Sequence, residues 1–180
     1  EQIAKLGEFY ANCIKENLDN DYDVLFGPAY KGIPLVVTTA SALYYQYHIN
    51  KNYCFNRKED KDHGEGGSIV GHKLQDGENV IIIEDVITAG TAIRECLPIL
   101  KAAADVNVKA LIISVDRMEK GQGDLSAVQE IQQNYGIKTY PIVTVREIIE
   151  TLHNNPVDGK VYIDDEMKQR MEDYLAKYGV

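Results

Sequence analysis

The sequence predicts an α/β fold, a doubly wound and mostly parallel sheet flanked by helices. Short aliphatic runs alternate with segments of helical periodicity, which is the pattern of strand-helix units. The run Val80, Ile81, Ile82, Ile83 is too short for an ordinary helix and has no polar alternation, so it suits a strand buried on both faces at the sheet centre. At 180 residues and 44% hydrophobic content, the chain has the size of one domain and enough apolar side chains for a sizeable core.

Taken in order, residues 1–18 place Ile3, Leu6, Tyr10, Cys13, Ile14 and Leu18 on one helical face, as in an amphipathic packing helix. Residues 23–26 read as a short strand. Residues 27–34, GPAYKGIP, form a turn bounded by two glycines, with Pro34 suited to the first turn of the next helix. Residues 35–47 read as a mostly buried helix whose tyrosines are expected to pack. Tyr53, Cys54 and Phe55 form another short strand. Residues 68–73 and 80–83 are expected to be neighbouring strands joined by a turn at Gln75, Asp76, Gly77 and Glu78.

Residues 92–104 read as a helix with Ile93, Leu97 and Leu100 inward, and 108–115 as a strand ending at Asp116 and Arg117. A glycine-containing loop spans 118–124. Ser126 with Gln129, and Thr144 with Glu147, are capping-box spacings that open helices on either side of a strand at 137–143. The second of these helices stops before Pro156. Met167, Met171, Tyr174, Leu175 and Tyr178 mark a C-terminal amphipathic helix, with the methionines read as core filler.

The formal net charge of -9 argues against nucleic acid as the main partner, because phosphate backbones need a basic footprint. Three cysteines without C-x-x-C spacing suggest neither a disulfide framework nor a zinc knuckle, and they fit a reducing cytoplasm. His48, His63, His72 and His153 lack close metal-ligand spacing. No apolar run approaches the roughly 20 residues of a membrane span. Neither G-x-G-x-x-G nor G-x-x-x-x-G-K-[ST] occurs, which weakens the dinucleotide and P-loop readings.

Chemistry concentrates in three stretches. In VIIIEDVITAGTA, residues 80–92, the carboxylates Glu84 and Asp85 end the aliphatic run. Val86 and Ile87 follow, and Thr88, Ala89, Gly90, Thr91 and Ala92 supply small residues and hydroxyls before a helix, the composition of an anion cradle. Polar residues also end any buried strand. Lys31 stands between glycines after a strand, where it can reach a phosphate oxygen or simply be an exposed surface lysine. Residues 56–67 are dense in charge, rich in glycine and bounded by apolar strands, the pattern of a mobile lid or of a solvated hairpin. Arg57, Lys58, Lys61 and His63 gather four donors there. Arg117 at a strand's carboxyl end suits a ligand site or a local pair with Asp116.

The strings GPAYKGIPL (27–35), FNRKEDKDHGEGG (55–67), IIEDVITAGTAIRE (82–95) and SVDRMEKG (114–121) closely resemble the orotate phosphoribosyltransferases, members of the type I phosphoribosyltransferases. The lid string with Arg-Lys-x-x-Lys-x-His is the discriminating part. The resemblance implies one phosphoribosyltransferase domain over residues 1–180 with a flexible catalytic lid. It further implies Mg²⁺-dependent transfer of ribose 5-phosphate from phosphoribosyl pyrophosphate (PRPP) to orotate in pyrimidine synthesis. It places the 5'-phosphate on Thr88, Ala89, Gly90, Thr91 and Ala92, next to Val86 and Ile87, and the ribose hydroxyls on Glu84 and Asp85. Pyrophosphate falls to Tyr30, Lys31, Arg57, Lys58, Lys61 and His63, and orotate to Thr88 and Arg117. Lys61, Asp85, Arg57 and Lys58 are the implied catalytic set.

Magnesium would be held mainly by PRPP and water, and Lys58 would act in the neighbouring subunit of a homodimer. Relatives carry a further N-terminal segment over the base, whereas this chain starts at Glu1 inside the following helix. Either that segment lies outside these residues or base selection within them is incomplete. Glu84 stands where close relatives often have Asp. The competing classes are a phosphoribosyltransferase for another base, a non-catalytic PRPP-sensing regulator, and an inactive partner domain of a bifunctional pyrimidine enzyme. Loss of one buried contact to the leaving group costs on the order of 2 to 4 kcal/mol, so Lys61→Ala is expected to lower turnover by about 30- to 1000-fold. Steady-state turnover close to that of the parent would refute the role assigned to Lys61.

Overall fold

The computed structural model describes residues 1–58, 68–87 and 90–180. In chain order, α1 (Gln2–Asn17) precedes β1 (Val24–Gly27), α2 (Gly32–Tyr47), β2 (Asn52–Asn56), β3 (Ile69–Gly71) and β4 (Asn79–Val86). There follow α3 (Thr91–Ala103), β5 (Asn107–Asp116), α4 (Ala127–Tyr135), β6 (Lys138–Thr144), α5 (Val145–Leu152) and α6 (Asp165–Tyr178). Among the described residues, the six strands form a sheet in the order β3-β2-β1-β4-β5-β6. Neighbours run parallel except β2 and β3.

Val80, Ile81, Ile82 and Ile83 are fully buried, and their side chains alternate between two cores as strand geometry requires. Val80 and Ile82 pack with Phe26, Leu111 and Ile113 under Ile93 and Leu100 of α3 and Ile131 of α4. Ile81 and Ile83 pack with Leu25 and Ile112 under Tyr10 and Ile14 of α1 and Val36 and Leu43 of α2. The expected doubly wound sheet is therefore present. From β1 the chain winds through α2 to β2 on one side, and from β4 through α3 to β5 on the other. The β1/β4 boundary is thus the point where the winding reverses, and open α/β sheets bind ligands at the carboxyl edge there.

Four expectations need correction. The 68–73 segment does not neighbour the 80–83 strand: β3 pairs antiparallel with β2, while β4 lies between β1 and β5. A four-residue run apolar on both faces needs parallel partners on both sides, and the antiparallel edge position cannot supply them. The strand expected over 80–83 is longer at both ends, and β4 (Asn79–Val86) carries the acidic pair within it. Tyr44, Tyr45 and Tyr47 of α2 are exposed rather than packed, with Tyr45 at 79%. No residue of α6 is fully buried, so Met167 and Met171 are not core filler.

Both capping boxes form as expected: the Ser126 and Thr144 hydroxyls each accept the N3 backbone N–H, and their own backbone N–H groups donate to the Gln129 and Glu147 side chains. A polar tie that periodicity does not reveal joins α1 to the sheet. The fully buried Tyr10 donates its hydroxyl to the Glu84 carbonyl at 2.6 Å. Its oxygen lies 2.6 Å from Ser114 Oγ, so the serine hydroxyl donates to the phenol. Tyr10→Phe keeps the ring and strands the carbonyl. Stability is expected to fall by about 1 to 3 kcal/mol. Urea titration should show a lower midpoint at an unchanged slope, and an unmoved midpoint would contradict the tie.

Candidate functional site at the winding reversal

The turn after β1 is built by close backbone approach. A Cβ at Gly27 would lie 2.3 Å from the Gly32 carbonyl oxygen, and one at Gly32 would meet the Gly27 carbonyl carbon at 2.7 Å. Only glycine at both positions lets the loop fold back on itself and start α2 at once. The loop presents Tyr30 and Lys31 outward, at the carboxyl end of β1. Lys31 Nζ lies 2.8 Å from Asp85 Oδ2 across the β1/β4 boundary. The Lys58 ammonium sits 5.7 Å from the centroid of the Tyr30 ring, a cation-π arrangement within the same chain.

The two acids of β4 have opposite electrostatics. Glu84 is buried, and loss of solvent pushes its carboxyl up to about 7 even though it accepts the Asp85 N–H at 3.0 Å. Asp85 is partly buried, which alone would raise it. The Lys31 ammonium and the Val86 N–H overcome that and hold it below the usual carboxylate range. Near neutral pH the pair therefore offers one carboxyl that shares a proton and one that is firmly ionised. Lys31 is correspondingly held charged by Asp85.

Beyond Val86 and Ile87, α3 begins at Thr91 after Gly90, which has φ 67 and provides no side-chain cap. No acid stands in its first turn. The contrast with α4, α5 and α6 is informative, because Ser126, Thr144 and Asp164 cap those helices with their own side chains. Among the described residues, α3 begins without a side-chain cap, as α1 and α2 do, and its N–H groups and positive dipole end suit an anion. Val86, Ile87, Gly90, Thr91 and Ala92 line a small recess of about 50 Å³ there. Thr88 and Ala89, expected on the same phosphate, lie outside the described residues.

A cleft of about 300 Å³ separates the post-β1 turn from α3, lined by Pro28, Ala29, Asn56, Arg57, Lys58, Ala92, Glu95 and Cys96 among others. Arg57 and Lys58 therefore come together with one end of the anion cradle. Lys61 and His63 lie outside the described residues. Arg117 stands at the end of β5 on a separate cleft of about 380 Å³ with Val145, Met167, Arg170, Met171 and Tyr174. Its partner is Glu119 at 2.5 Å and not Asp116, whose carboxylate accepts the Met118 N–H. Tyr174 donates to Glu119 at 2.7 Å. The methionines of α6 form an apolar wall beside this guanidinium, which explains their partial exposure.

Residues 1–142 match the phosphoribosyl transferase domain family. The orotate phosphoribosyltransferase of Clostridium beijerinckii is 59% identical over 178 residues, covering 99% of this chain and 80% of that protein. The chain belongs to the orotate phosphoribosyltransferase family. A crystal structure of the Francisella tularensis orotate phosphoribosyltransferase superposes with a TM-score of 0.81 at 35% identity, covering 99% of this chain and 81% of that one. The fold also matches a Mycobacterium tuberculosis orotate phosphoribosyltransferase in complex with PRPP, with a TM-score of 0.60 at 18% identity, covering 81% of this chain and 75% of that one.

Within this family fold, three residues that sequence reasoning passed over stand beside the expected ones: Tyr10 behind Glu84, Asn56 between two loops, and Glu119 on Arg117. Only Glu119, two positions from its arginine, left a local signal. The proton on Glu84 has a measurable consequence. An unfolded glutamate titrates near 4.5 and the folded one near about 7, so the folded state holds the proton more tightly. Its stabilising contribution is complete below the unfolded value and is lost as pH rises through the folded value. Glu84→Gln is expected to remove this loss. Its melting temperature relative to the parent should climb between pH of about 5 and about 8, and a pH-independent difference would refute the shift.

Proposed function

We propose that the chain transfers ribose 5-phosphate from PRPP to orotate, giving orotidine 5'-monophosphate and pyrophosphate in pyrimidine synthesis. The carrying observation is the juxtaposition at the winding reversal: a Lys31–Asp85 contact beside the uncapped start of α3. In this reading the N-terminus of α3, with Thr88, Ala89, Gly90, Thr91 and Ala92, grips the 5'-phosphate. Glu84 and Asp85 accept from the ribose hydroxyls. Tyr30, Lys31, Arg57, Lys58, Lys61 and His63 surround the pyrophosphate, and Thr88 and Arg117 meet orotate.

The bond from C1' to the pyrophosphate oxygen breaks with its electron pair leaving on the pyrophosphate, and N1 of orotate forms the new bond at C1' as its proton passes to the departing pyrophosphate or to water. Cations fixed around the departing group stabilise the charge that gathers on it, while the nearby ionised Asp85 suits the positive character at the sugar. Binding requires Lys31 to shift from Asp85 toward phosphate oxygens, which frees that carboxylate for the ribose at the moment the sugar arrives.

Among the described residues, no cluster of three or more His, Cys, Asp or Glu side chains could hold a metal. Asp85 is engaged by Lys31 and Glu84 is buried. That donor set fits Mg²⁺ carried mainly by substrate oxygens and water. The ion would supply charge neutralisation on the leaving group. The reading also takes residues 1–180 as one domain of a cytoplasmic homodimer in which Lys58 serves the neighbouring site. Among the described residues, no helix is long and apolar enough to cross a membrane.

The test is a spectrophotometric assay of orotate consumption with PRPP and Mg²⁺, run beside uracil, adenine and hypoxanthine. Consumption of orotate alone is expected. Preference for another base would reassign the substrate, and PRPP binding without turnover of any base would replace the enzyme reading with a sensing role.

A further inference from the structure

Asn56, the last residue of β2, is one of few polar side chains buried within the described residues, at 7% exposure. Its Oδ1 accepts the Ala29 N–H at 2.8 Å and its Nδ2 donates to the Arg57 carbonyl at 3.2 Å. Both halves of the amide are thus committed to main chain, in two segments that are distant along the chain. Ala29 immediately precedes Tyr30 and Lys31, and Arg57 immediately precedes Lys58. The cleft of about 300 Å³ is lined by Asn56 together with Ala29, Arg57 and Lys58.

We propose that Asn56 is a positioning residue that sets residues 29–31 and Arg57 relative to one another, so that Tyr30, Lys31 and Arg57 meet a diphosphate as one preformed unit while Lys58 is carried toward the neighbouring site. The inference rests on the phosphoribosyl-transfer reading above. Bonds to main chain suit this task, because they fix where each segment sits while leaving Lys31, Arg57 and Lys58 free to reorient toward a ligand. A residue that only finished β2 would have no need to reach Ala29, which lies in the turn after β1, 27 positions away. Neither Tyr30 nor Lys31 receives a comparable tie from any other side chain in the described residues to the lid stem, apart from the Lys58–Tyr30 ring contact, which is itself exposed.

The experiment titrates pyrophosphate with Mg²⁺, and separately ribose 5-phosphate, into the parent, Asn56→Ala and Asn56→Ser by calorimetry, with the KM for PRPP and kcat measured alongside. Serine is too short to span both partners yet keeps a polar group at the strand end. The expected result is pyrophosphate affinity about tenfold weaker in both variants, with ribose 5-phosphate affinity unchanged within about twofold. The KM for PRPP should rise more than kcat falls. Equal weakening of both probes, or unchanged pyrophosphate binding, overturns the proposal while the parent's binding leaves the phosphoribosyl reading intact. A parent that binds neither probe overturns both. Should Asn56→Ala fail to fold, Asn56→Ser decides, and failure of both to fold makes Asn56 a structural strand end and overturns the proposal.

Discussion

Burial of β4 on both faces is the constraint from which the rest of the site follows. Four consecutive aliphatic residues with no exposed face require parallel neighbours on each side and helices above and below. Once that is met, the next two positions of the strand necessarily emerge at the carboxyl edge of the sheet, one on each face. Glu84 and Asp85 occupy them. Their contrasting protonation is a direct result: Glu84 falls on the buried side, where loss of solvent outweighs the attraction of Lys31, and Asp85 falls where Lys31 bonds it directly.

The cations of the site are therefore placed by main-chain geometry and only secondarily by attraction. Lys31 is where it is because Gly27 and Gly32 let the turn close to backbone contact. Arg57 and Lys58 leave β2 on the same edge because β2 pairs in register with β1, Gly27 opposite Phe55. A chain with net charge -9 can in this way hold a polyanion locally without any basic surface at large. The uncapped start of α3 adds attraction that needs no side chain.

The alternation of strands and helices, the central β4 and the two capping boxes could be read directly, because each depends on residues within a few positions of one another. Strand neighbours could not. Periodicity reports which faces are buried but not which strand lies beside which, so it does not reveal that β3 pairs with β2 and not with β4. The helix of Met167 and Met171 has an apolar stripe, yet the stripe faces an open cleft by Arg117, and composition alone does not distinguish the two. Tyr10 and Asn56 were invisible for another reason: their partners lie 74 and 27 positions away. Of the residues expected around an anion, Lys31, Arg57, Lys58, Glu84, Asp85 and Gly90 lie near the winding reversal, and the ordered strings around them made that expectation possible.

The short antiparallel strand β3 has an effect of its own. Arg57 N–H bonds the Ser68 carbonyl at 2.7 Å, and only the three residues Ile69–Gly71 continue the strand pairing. One of the sheet's two outer borders is thus made by the strand that follows the charged string 56–67. A border so brief offers other chains little backbone on which to stack, so on this side the sheet is guarded against intermolecular β-assembly.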